Sequence, residues 1–121
     1  MIHFYLQYEI LKFGVTGLKA KKEDVVTIHY QASFINGEVY DSSINKDPVS
    51  FPLNAPNGTI RGLHEGIELM SVGDQYKFYI PAKLAYGNSS PEGSPIPPGS
   101  TLVFVIELTN LKDDDRAFVL R

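Results

Sequence analysis

Cysteine is absent from the 121-residue chain. Thiol nucleophiles, thiolate zinc sites and disulfides are therefore excluded, and the sequence carries no record of its redox compartment. Basic charge is scarce: eleven Lys and Arg stand against fourteen Asp and Glu, a formal net charge of -3. That balance argues against nucleic acid as the main partner, because phosphate binding needs a basic face. No apolar run approaches the roughly 20 residues of a membrane span, so membrane insertion is not expected. The opening Met1-Ile2-His3-Phe4 lacks the basic and apolar regions of a signal peptide. A mature or excised domain would lack them too, so the sequence leaves the compartment open: cytoplasm by default, bacterial periplasm or cell envelope for an excised or mature domain. What is present is ordinary for one soluble globular domain, with 43% apolar and 21% charged residues.

Alternation marks most of the chain as strand. Phe4, Leu6, Tyr8 and Ile10 alternate with His3, Tyr5, Gln7 and Glu9, predicting a strand with one buried face. Gly14 to Lys22 reads as a loop. Val26, Ile28, Tyr30, Ala32 and Phe34 then share one face of the cleanest strand, and Asn36-Gly37 supplies a tight hairpin turn in which both residues tolerate positive φ. The return strand is Glu38 to Asp41, and a short strand follows at Val49 to Leu53, before an irregular Asn54 to Gly58. From Arg61 the period changes. Leu63, Ile67 and Met70 stand at helical spacing, predicting one helix of about ten residues with His64, Glu65 and Glu68 off the buried stripe.

Tyr76, Phe78 and Ile80 alternate again up to Pro81. Asn88 to Ser100, with Pro91, Pro95, Pro97 and Pro98, is a surface loop, and Thr101 to Asn110 is the last strand. Residues 1–111 form the expected domain, and the charged tail 112–121 is expected to fray. Five or six antiparallel strands packed on one short helix make an α+β fold.

Acid, base, nucleophile and metal chemistry find little support. His3, His29 and His64 sit on separate elements with no second ligand four residues on, so no metal site is expected; His29 is placed on an outer strand face and His64 on the exposed side of the helix. Nothing pairs Asp41 with Glu65 or Glu68 as a glycosidase would require. No Gly-x-Ser-x-Gly elbow occurs, and Gly58, Gly62 and Gly66 are not followed by the Lys-Ser or Lys-Thr of a phosphate loop. Aromatics are the better lead. Tyr30, Phe51 and Phe104 fall on buried strand faces, where core packing is the plain reading. Tyr40-Asp41 and Ala85-Tyr86-Gly87, however, place polar-tipped rings where a pocket can open between sheet and helix.

Several stretches, in order, resemble the FKBP-type peptidyl-prolyl isomerases: Val26-Thr27-Ile28-His29-Tyr30, Gly37 to Ser43, Phe51-Pro52-Leu53, Ile60-Arg61-Gly62, Glu65 to Gly73, Ile80-Pro81 with Leu84-Ala85-Tyr86-Gly87, Ile96-Pro97-Pro98, and Thr101 to Leu108. The wording of Phe51 to Asn54 and Ile80 to Gly87 is most similar to the bacterial macrophage-infectivity-potentiator branch. That branch usually carries a helical dimerisation arm ahead of this domain; the sequence shows none, so a monomer is expected.

The resemblance implies a half-barrel sheet wrapped around the helix and a substrate pocket. It assigns catalytic positions to Tyr30, Asp41, Tyr86 and Phe104. Tyr40, Val49, Thr59, Ile60, Leu63 and Ile96 complete the implied binding set, with no metal and no cofactor. Leu63 stands where many members have a floor Trp, and Val49 where an aromatic wall is common, so a roomier pocket is expected. Proline-containing peptides and unfolded client proteins are the implied substrates, with macrolides of the tacrolimus and rapamycin type as inhibitors. Two rival readings keep the fold without turnover: a peptide-binding scaffold, and a holdase-like chaperone using the 88–100 loop.

Overall fold

The computed structural model describes residues 5–54 and 60–113. Its strands are β1 (Gln7–Lys12), β2 (Asp24–Phe34), β3 (Val39–Ser42), β4 (Val49–Pro52), β5 (Gln75–Ile80) and β6 (Leu102–Asp113), with one helix, α1 (Arg61–Ile67), between β4 and β5. All pair antiparallel in the order β1-β5-β6-β2-β3, and β4 joins β2 on the same side as β3. This is the α+β arrangement expected from the alternation.

Register gives the sheet its inner face. Ile28, Tyr30, Ala32 and Phe34 lie opposite Leu108, Ile106, Phe104 and Leu102, and the last three of these lie opposite Tyr76, Phe78 and Ile80 on β5. Directly opposed residues point to one side of a sheet, so a continuous apolar surface spans β2, β6 and β5. A bulge interrupts β6 at Thr109, since Thr27 opposes Asn110 while Ile28 opposes Leu108. The extra residue shifts the phase by one. Leu108 and Leu111 therefore both reach the core, at 0% and 3% exposure, although they stand three apart. The strand also continues through Lys112 and Asp113, two residues into the expected tail, because these still pair with Val25 and Asp24.

Three local readings are corrected. The first strand begins at Gln7 and has no buried face: Tyr8 and Ile10 are 46% and 42% exposed. Among the described residues it is an edge strand paired only with β5, so Tyr8 covers the core margin by stacking on Tyr76 at 5.5 Å without being enclosed itself. The β2–β3 connection is a three-residue loop. Phe34 N–H donates to Glu38 O, Gly37 N–H donates to Phe34 O, and only Gly37 takes positive φ, at 95°. That is a type I turn closed by a left-handed glycine. Finally, α1 has seven residues, because beyond Ile67 the chain tightens to i→i+3 bonds: Leu69 N–H to Gly66 O and Met70 N–H to Ile67 O. His3, Phe4, residues 55–58 and 114–121 lie outside the described residues.

The glycines of α1 set how close it sits to the sheet. A Cβ placed on Gly66 would lie 2.7 Å from the Phe78 ring, and one on Gly62 would lie 2.5 Å from Ile80 Cγ2. Both partners are completely buried. The four-residue glycine spacing is thus a docking surface. A buried carboxylate secures the other end: Asp74 accepts from Gly14 N–H at 2.7 Å and Ser71 N–H at 2.8 Å, tying the exit of β1 to the turn before β5. Gly66→Ala is expected to lower unfolding free energy by about 1–3 kcal/mol through overpacking, despite an intrinsic helix gain of about 1 kcal/mol. A urea midpoint equal to or above the parent's would show that the Phe78 ring yields freely.

Candidate functional site

Between the inner face of the sheet and α1 lies a cavity of about 190 Å³. β2 supplies Ile28 and Tyr30, β3 Tyr40 and Asp41, and β4 Val49 and Phe51. Ile60 and Leu63 come from the start of α1, Phe104 from β6, and Tyr86 from the loop after β5. Its volume is below the roughly 300–1,000 Å³ of sites for drug-sized ligands, so it suits one compact group.

Strand parity alone would send Tyr40 and Asp41 to opposite faces. A bulge prevents this: Ala32 opposes Asp41 and Ser33 opposes Val39, which leaves Tyr40 as the extra residue. Both side chains consequently reach the cavity. Tyr40 stacks on Phe34 at 4.7 Å. Asp41, opposite Ala32, is a diagonal neighbour of Tyr30, within reach of a long aromatic side chain. The Tyr30 hydroxyl donates to Asp41 Oδ2 at 2.8 Å, and Ser42 N–H donates to Oδ1 at 2.8 Å. Burial, followed by this hydrogen bond and the charge of Asp41, pushes the Tyr30 phenol up to about 12. Burial, then Tyr86 and Asp41, also raises that of Tyr40. Both rings are protonated, neutral donors at physiological pH.

The chain leaving β3 is fastened beside Tyr30. Ser43, 3% exposed, accepts from Tyr30 N–H at 2.8 Å, lies 2.9 Å from His29 Nδ1, and donates its own N–H to Tyr30 O. On the opposite rim, Pro81 starts a 3₁₀ turn over Ala82–Leu84, and Gly87 at φ 61° returns its N–H to Ala82 O. This turn presents Tyr86, 38% exposed, at the cavity mouth.

Of the residues expected at the site, Tyr30, Tyr40, Asp41, Val49, Ile60, Leu63, Tyr86 and Phe104 are brought together around the cavity. Thr59 lies outside the described residues. Ile96 does not line it; 7% exposed, it packs into the core cluster, with its N–H held by Ser94 Oγ. Ile28 and Phe51 are wall residues not singled out for the site, although alternation had put both on inner faces. Ser43 was not singled out for the site, although it closes the family-like stretch Gly37 to Ser43.

His64 also departs from expectation. It is not on an exposed helix side: its ring faces Phe51 at 6.4 Å, and Nε2 is buried without a hydrogen-bond partner among the described residues. Burial lowers its pKa, opposed by the charge of Glu68. Below about pH 6.5 the unfolded chain therefore takes up protons that the folded chain resists. Stability is complete above that pH and falls as pH drops toward the lowered folded value. Urea midpoints measured between about pH 7 and 5 are expected to decline in the parent and less steeply in His64→Gln. Parallel slopes would assign the decline to other groups.

Sheet, helix and cavity define a small α+β domain with an aromatic-walled, partly hydrogen-bonding cavity. Residues 17–109 match the family model of the FKBP-type peptidyl-prolyl cis-trans isomerases. The chain is 45% identical over 104 residues to an FKBP-type peptidyl-prolyl cis-trans isomerase FkpA of Aeromonas hydrophila, covering 85% of this chain and 37% of that protein. It is 40% identical over 108 residues to the outer membrane protein MIP of Legionella longbeachae, covering 88% and 44%. The crystal structure of FkpA from Escherichia coli superposes with a TM-score of 0.79 at 38% identity, covering 89% of this chain and 48% of that one. The chain belongs to the FKBP-type peptidyl-prolyl cis-trans isomerase family, and spans less than half the length of these three relatives.

Proposed function

We propose that this domain catalyses cis/trans rotation about X-Pro bonds by holding a twisted amide in the aromatic cavity. The observation that carries this reading is the cavity itself: residue-sized, walled by Tyr30, Tyr40, Phe51 and Phe104, with the Tyr30 hydroxyl already committed to Asp41. The barrier to rotation, about 18–20 kcal/mol, is set by amide resonance. Resonance separates charge between oxygen and nitrogen, and water stabilises that separation. A water-poor aromatic wall stabilises it less, while the twisted amide loses little, so the site binds the transition state in preference to the planar form. No proton transfer is required.

Each residue then has a bounded role. Phe104 and Tyr30, with rings 6.3 Å apart, form the apolar bed for the proline ring, and Leu63 is its floor. Asp41 orients Tyr30. The Tyr86 hydroxyl and the Ile60 N–H donate to substrate carbonyls. Substrates are proline-containing peptides and unfolded chains with an apolar residue before Pro, and macrolides carrying a pipecolyl ring compete for the same bed.

A protease-free exchange assay on a short X-Pro peptide tests the reading. Rates unchanged by stoichiometric protein would defeat it and leave a peptide-binding scaffold. Tyr86→Phe is expected to weaken ligand binding by about 0.5–1.5 kcal/mol, the net value of one hydrogen bond, with only a modest loss of turnover. Tyr86→Ala should impair both more, and loss of all turnover in Tyr86→Phe with binding retained would place Tyr86 in the chemical step. Leu63→Trp is expected to tighten macrolide binding by about 1–2 kcal/mol through added aromatic area, measured by titration calorimetry.

A further inference from the structure

A second groove, of about 530 Å³, runs between the tip of the β2–β3 hairpin and the proline-rich loop. Phe34 and Ile35 line one side and Pro95 and Pro97 the other; Glu38 is the charged residue among the described lining residues. Both banks are held in place. Gly37 and the Phe34–Glu38 backbone bond fix the hairpin tip, while Gly99 N–H donates to Gly87 O at 2.8 Å and Ser100 Oγ donates to Pro97 O at 2.6 Å. Ile35 is 69% exposed, an apolar side chain held open beside apolar walls.

The groove neighbours the cavity across one pair of stacked rings. Phe34 on the groove stacks at 4.7 Å on Tyr40, which lines the cavity. Occupants on the two sides of that stack are on the order of 10 Å apart, which extended chain covers in about three residues. We propose that the groove is a second subsite for the same polypeptide: it receives an apolar side chain, with a Lys or Arg beside it facing Glu38, about three residues from the proline held in the cavity. This rests on the isomerase reading and extends it, making unfolded chains better substrates than minimal peptides. Contact with Ile35 supplies the apolar part of the selectivity, and Glu38 the preference for a cation.

The test compares a four-residue X-Pro peptide with a longer one bearing Leu-Lys about three residues from Pro on both sides, followed by NMR exchange without protease. The parent is expected to turn over the long peptide with kcat/KM about fivefold higher, the equivalent of roughly 1 kcal/mol of apolar burial. Ile35→Ser should abolish that gain and leave the short peptide unchanged. Glu38→Gln should remove only the part of the gain that salt suppresses. An undiminished gain in Ile35→Ser, or equal losses on both peptides, would overturn the subsite. Failure of the parent to turn over either peptide would defeat the isomerase reading instead. Equilibrium binding of the long peptide then decides the groove, and equal affinity for parent and Ile35→Ser would reject it.

Discussion

The antiparallel pairing of β2 with β6 runs from Asp24 opposite Asp113 to Phe34 opposite Leu102, and the other elements are placed relative to it. On one flank β6 carries β5, and β5 carries β1; on the other, β2 carries both β3 and β4. Because opposed residues face one way, this single register fixes which side chains look toward α1. A slip of one residue would turn Val26, Ile28 and Tyr30 outward together. The two bulges, at Thr109 and Tyr40, are local departures with opposite uses. The first keeps Leu111 in the core, and the second puts two adjacent side chains into one cavity.

Docking of α1 is the second constraint, and it depends on residues that have no side chain. Gly62 and Gly66 let the helix lie directly on Ile80 and Phe78. Leu63, one residue from Gly62, is thereby presented to the cavity while Ile67 and Met70 close the core beneath it. Floor and core are two sides of one short helix, so a change in helix height alters cavity depth as well as packing density.

Polar groups at the site serve orientation. Asp41 accepts from the Tyr30 hydroxyl and the Ser42 N–H, and Ser43 accepts from the Tyr30 N–H. Tyr30 is therefore held by its hydroxyl and its backbone at once, and its raised pKa keeps it neutral well above physiological pH. Under the proposed mechanism, a rigid, neutral, aromatic bed is what differential binding of a twisted amide needs, since a mobile or ionised wall would admit water or favour the planar, charge-separated form.

Much of this was legible from residue order alone. Period-2 alternation in β2, β5 and β6 and the Leu63-Ile67-Met70 stripe follow from which residues avoid water, and that tendency needs no partner to be named. The ordered motifs resembling the family likewise marked Tyr30, Asp41, Tyr86 and Phe104 before any contact was known. Quantities that depend on what lies opposite were decided only by the tertiary structure. Tyr8 and Ile10 alternate like core residues yet stay half exposed at a sheet edge, Tyr40 and Asp41 share a cavity through a bulge, and Ile96 is buried in the core cluster. His64 lies against Phe51 because β4 folds back along β2 toward the helix. Hydrophobic pattern is a property of one segment, whereas burial, register and enclosure belong to pairs of segments far apart in the chain, and only their packing sets them.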